Sequence, residues 1–102
     1  MNNSAPLSAI GIPWFTRDDY EAFRRLMPTQ RRWHATFDEW EEAANKLVEQ
    51  QERSGVRVFK AKVQSDAFAQ WCRDTGRNID SQALLDYGND FARRQLLQQQ
   101  TH

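Results

Sequence analysis

GVRVFKAKV, residues Gly55 to Val63, is the clearest stretch of this chain whose side chains alternate as a strand's do. Its β-branched and aromatic residues suit a pleated surface. The alternation sets Phe59, Ala61 and Val63 on one face and Val58, Lys60 and Lys62 on the other. A strand over residues 56–63 is therefore expected. A lone strand poses a physical problem, because its N–H and C=O groups need partners wherever water is excluded. Two partners are on offer. One is the segment LSAIGI, residues 7–12; the other is the identical strand of a second chain, which would make a two-fold ribbon and a homodimer. The second is favoured.

The flanking segments read as helices. Upstream, Thr36 and Glu39 form a capping box, and Phe37, Trp40, Ala44, Leu47 and Val48 recur at helical spacing. That helix covers residues 37–53, with Gly55 as its C-cap. Asp38, Glu42, Glu49 and Glu52 lie on a different face, and Glu42 to Lys46 and Glu49 to Arg53 are spaced for i,i+4 pairing. Further upstream, a Thr16 N-cap, Asp18 and Asp19 at the positive end of the helix dipole and a Phe15–Tyr20 staple open a helix over 17–27, which Pro28 ends. Downstream, Ser65 and Asp66 cap a helix over 66–75 whose stripe is Phe68, Trp71, Cys72 and Thr75. Asp80 caps the last helix, 81–97, which carries Leu84, Leu85, Phe91, Ala92 and Leu96. Gly88 in that helix permits close approach to another element.

The expected architecture is α+β, mainly α: four amphipathic helices with one clear strand paired in a two-stranded ribbon. One globular domain over residues 14–97 lies between a flexible arm, 1–13, and a disordered tail, 98–102. No internal repeat is visible. A chain of 102 residues has room for one core, and four Trp, six Phe and two Tyr supply large surfaces to bury. The mean hydropathy is −0.88, and no run approaches the roughly 18 apolar residues of a membrane helix. The start lacks the pattern of a signal peptide, so the expected location is the cytoplasm. The formal net charge is zero, which removes a global field for nucleic acid or anionic lipid. The halves differ, however. Residues 1–52 hold six basic and nine acidic groups, and residues 53–102 hold eight and five. The second half is the better candidate for an anionic partner.

Little material for catalysis is present. His34 and His102 are the two histidines, and Cys72 is the single cysteine, set on an apolar helix stripe. Hydrolytic triads, disulfides and cysteine-rich zinc sites lack their residues. The four glycines are dispersed, so no phosphate-cradling loop is formed. Asp18/Asp19 and Glu41/Glu42 are adjacent on helices, where their carboxylates diverge. Tyr20, Trp14 and Trp40 read as core. No catalytic, cofactor-binding or metal site is expected. Two basic features remain as candidates. Arg31, Arg32 and Trp33, close to Arg24, Arg25 and His34, would bind an anion or a protein partner through guanidinium forks and an indole. Lys60 and Lys62 on the strand, with Arg77, would contact DNA.

The order of strand 56–63, helix 66–75, turn GRNID and helix 81–97 resembles the ribbon-helix-helix family of bacterial DNA-binding proteins. The resemblance covers about 45 residues and implies an obligate dimer whose paired strands enter the major groove. It would make Val58, Lys60 and Lys62 groove-facing and Phe59, Ala61 and Val63 core-facing. Gly76, Asn78, Asp80 and Ser81 would then sit where the second helix holds a phosphate. The whole chain, with IPWFTRDDY, GVRVFKAKV and DAFAQWC, also resembles an uncharacterised family of small bacterial proteins, a likeness that brings no function. The leading expectation is a non-enzymatic cytoplasmic module that self-associates and binds a protein partner. A ribbon-type DNA-binding regulator is the alternative.

Overall fold

The structure is a computed structural model that describes residues 8–29 and 32–100. Six elements follow one another: β1 (Ala9–Trp14), α1 (Tyr20–Leu26), α2 (Phe37–Arg53), β2 (Arg57–Lys62), α3 (Ser65–Asp74) and α4 (Ser81–Gln100). The four expected helices and the expected strand are all present. The order strand, short helix, long helix occurs twice, a repetition of elements that no repetition of residues betrays.

The strand's partner is in its own chain. β1 pairs with β2 in a two-stranded parallel sheet, from Ala9 beside Arg57 to Trp14 beside Lys62. The expected ribbon between two chains is thereby corrected, and so is the expectation of a loose arm through residue 13. Residues 1–7 of that arm lie outside the described residues. A parallel pair needs a long crossover, which α1 and α2 provide. The Arg57 N–H donates to the Ser8 carbonyl at 2.8 Å and the Val63 N–H to the Trp14 carbonyl at 3.1 Å. Even-numbered residues of β1 therefore face β2, and odd-numbered ones face away. Pro13, which has no N–H, falls at an outward position and costs the ladder nothing.

The sheet lies between the two long helices. On one face Gly11 meets Gly88 of α4 so closely that a Cβ on Gly11 would stand 1.6 Å from the Gly88 carbonyl oxygen. Asn89, the next residue, accepts the outward Gly11 N–H on its Oδ1 at 3.3 Å. α4 thus seals part of the outer edge of β1. On the other face α2 stands off on large rings, with Trp14 and Trp40 edge to face at 5.0 Å.

The core continues from that pair. Phe15, 1% exposed, has Phe23, Trp40, Trp33 and Tyr20 around it at centroid distances from 4.7 to 6.0 Å. Phe23 joins α1 to α3 through Phe68. The Thr36 cap of α2 forms as expected, with Glu39 N–H donating to Thr36 Oγ1 at 3.1 Å, and Ala83 N–H donates to Asp80 Oδ1 at 2.9 Å. Two starts differ. α1 begins at Tyr20 rather than at 17, because residues 17–19 form a turn closed by Asp19 N–H on the Thr16 carbonyl. The α3 start is capped from a distance: Ser65 donates its N–H to Asp19 Oδ2 at 2.6 Å and its hydroxyl to Oδ1 at 2.8 Å. α4 runs on to Gln100, so the expected tail from 98 is helical as far as it is described. Neither Glu42–Lys46 nor Glu49–Arg53 forms one of the ion pairs recorded among the described residues.

Candidate binding cleft

Spacing at helical period places Trp40, Ala43, Ala44 and Leu47 along one side of α2, and Ser81, Leu84 and Leu85 along one side of α4. Beside β1 these two sides bound an open cleft of about 590 Å³, with Ile10, Ile12 and Pro13 between them. Arg32, His34, Gln51 and Ser81 supply its polar groups. The cleft exists because the two helices stand at unequal distances from the sheet. Glycine contact draws α4 in, while Trp14 and Trp40 hold α2 out.

Its walls carry two uncovered leucines, Leu47 at 41% and Leu85 at 53% exposure. Large side chains on amphipathic stripes normally reach the core. These two do not, although Leu84 beside Leu85 is 1% exposed. The arrangement suits apolar side chains, with cationic Arg32 and the imidazole of His34 available at the margin. Both residues are exposed.

The structure brings Arg24, Arg25, Arg32 and Trp33 around one open pocket beside Glu21 and Pro28. Arg31 lies outside the described residues. Arg32 reaches the cleft, but Trp33 turns into the protein, donating its indole N–H to the Met27 carbonyl at 2.8 Å and packing on Phe15 and Tyr20. Trp33 is therefore half-buried against the core by tilted and edge-to-face ring contacts, and only part of it stays exposed beside Arg32. Tyr20 also braces this loop by donating its hydroxyl to the His34 carbonyl at 2.7 Å.

Lys60 and Lys62 are exposed on β2, with the Lys60 ammonium 4.4 Å from the centroid of the Trp14 ring. Arg77 is engaged elsewhere, with Nε 3.5 Å from Asp86 Oδ2 and its guanidinium over Trp71. Val58 packs against the core rather than facing a groove. At the start of α4 the Asp80 carboxylate already takes the N–H that a phosphate would seek. One edge of β2 is taken by a parallel partner from its own chain, a geometry different from the antiparallel ribbon that the resemblance implies.

Cys72 is fully buried. Burial pushes its thiol pKa up, and the nearby Asp80 charge adds to the effect. The thiol is therefore protonated and inaccessible, the opposite of an activated nucleophile. Among the described residues no His, Cys, Asp and Glu side chains converge in a group that could hold a metal ion, and no helix is long and apolar enough to cross a membrane. No family model, no curated protein and no solved structure matches this chain.

Proposed function

We propose that this protein is a non-enzymatic cytoplasmic interaction module that self-associates, and that the cleft between α2 and α4 is the seam between two copies. The observation supporting this reading is the pair of half-exposed leucines, Leu47 and Leu85, on an apolar cleft beside β1. In a two-fold seam each copy offers both a ridge and a groove, as self-complementary association requires.

Magnitudes set the strength of such a dimer. Burying a leucine completely contributes about 1.5–3 kcal/mol, so four half-exposed leucines contribute about 3–6 kcal/mol. Association costs about 4–15 kcal/mol in lost freedom. The leucines alone do not guarantee a tight complex, and the dimer belongs in a concentration-dependent regime. Light scattering on a sizing column over a hundredfold concentration range tests this. The expected mass rises from 12.0 kDa toward twice that value, and Leu47→Glu combined with Leu85→Glu holds it at the monomer with an unchanged circular dichroism spectrum. A mass of one chain at every concentration overturns the reading.

A further inference from the structure

We infer that the outer edge of β2 is a docking site for an extended, acidic strand of a partner protein, which adds to the sheet as a third strand. This edge is on the opposite side of the sheet from the β1 cleft, so the inference does not depend on self-association there.

The pairing register carries the first step. Arg57, Phe59 and Ala61 spend their backbone groups on β1, which leaves the N–H and C=O of Val58, Lys60 and Lys62 directed outward. Among the described residues the sheet has two strands, and no recorded hydrogen bond meets those outward groups. The contrast with the outer edge of β1 is direct. There Pro13 lacks a donor and Asn89 takes the Gly11 N–H, two ways of blunting an edge. The β2 edge has neither. An unpaired run of alternating donors and acceptors is the surface that strand addition uses.

The side chains select the occupant. Arg57, Lys60 and Lys62 are all exposed, and none of them enters an ion pair recorded among the described residues. Edge lysines often protect a strand by reaching across it. Here Lys60 instead leans over Trp14 of β1, and Arg57 lies over the Phe59 ring at 4.8 Å. Both cations rest on aromatic faces of their own sheet, leaving the backbone approach clear and a positive field beside it. A second copy of β2 suits this edge poorly. Antiparallel self-pairing centred on Lys60 would set two like charges directly opposite each other, which destabilises a ladder. Carboxylates alternating along an incoming strand would instead meet Lys60 and Lys62, which share one face, while its backbone completes the ladder.

The test uses the full chain and a capped peptide as long as β2, alternating glutamate and valine, followed by amide NMR. The expected result is a saturable shift of the Val58, Lys60 and Lys62 amides. Methylating alternate peptide nitrogens, so that no donor faces β2, should abolish it. Replacing the peptide's glutamates by lysines should also abolish it, and Lys60→Glu with Lys62→Glu should transfer binding to the lysine peptide. Three results would overturn the inference: no shift at these amides, equal shifts with the methylated peptide, or shifts by mixed-sequence duplex DNA where the acidic peptide produces none. Since Lys60 and Lys62 are exposed, tryptophan emission and circular dichroism establish that the variant remains folded.

Discussion

The two faces of the sheet are packed by opposite means. On the α4 face the contact is made by residues without side chains, Gly11 against Gly88, so helix and strand backbones touch. On the α2 face the spacing is set by Trp14 and Trp40, whose rings meet edge to face and continue into the Phe15 cluster. Close approach leaves no space for a ligand, whereas a ring-supported helix leaves an opening at its border. The cleft with Leu47 and Leu85 is thus a consequence of unequal packing, and substitutions that change either spacing test that relation.

Removing the larger spacer has the largest expected effect. Trp40→Ala deletes a side chain that is 5% exposed and lies against Trp14, Phe15, Phe37 and Tyr20. Such truncations cost about 3–5 kcal/mol. Because Trp40 also lines an open cleft, water can enter the space left behind, and the lower half of that range is expected. Urea unfolding followed by circular dichroism measures it. A loss below about 0.5 kcal/mol, the size of an ordinary surface change, would show that the rings do not hold α2 in place.

Filling the glycine contact is expected to cost less, with a sign that separates contact from propensity. In an unconstrained helix Gly→Ala stabilises by about 1 kcal/mol. At Gly88 a Cβ would stand 2.4 Å from the Gly11 carbonyl oxygen and 3.1 Å from Pro13 Cδ. Neither the strand nor the proline ring yields easily, so Gly88→Ala should destabilise by roughly 1–3 kcal/mol, as overpacking does. The same urea titration reads the sign. A stabilised variant would mean that α4 does not touch β1 at this point.

Features decided within a few residues were legible in the sequence. Thr36 with Glu39 and Asp80 with Ala83 form the expected caps, and the alternation of GVRVFKAKV correctly located β2. Gly88 was readable as a point of close approach, but its partner was not, because Gly11 is 77 positions away in a segment whose Gly and Pro resemble a loose arm. The position of Pro13 on the outward side of β1 depends on pairing that no local pattern encodes. Trp33 shows the same limit from the other side: neighbouring arginines suggested a surface loop, while its indole completes a cluster built from α1, α2 and the end of β1. The apolar stripes bordering the cleft were visible in the sequence as well. That Leu47 and Leu85 remain uncovered follows from the different heights of two helices above the sheet, a tertiary property.

Asp19 provides the smallest expected effect and the sharpest division between local and distant roles. Its sequence position suggested a favourable charge at the start of α1, and it is the N-cap residue of that helix, but no side-chain hydrogen bond caps α1. Its carboxylate instead accepts the N–H and hydroxyl of Ser65, 46 residues away, at the start of α3. Losing an N-cap acceptor costs about 0.5–2 kcal/mol, and asparagine caps about as well as aspartate. Asp19→Ala should therefore fall in that range and increase hydrogen exchange at the Ser65 amide, while Asp19→Asn should restore much of both. If Asp19→Ala loosened the amides of α1 and left Ser65 protected, the local reading would be the right one. The expected outcome assigns this carboxylate to joining the two strand–helix–helix halves at the aromatic end, away from both the glycine contact and the cleft.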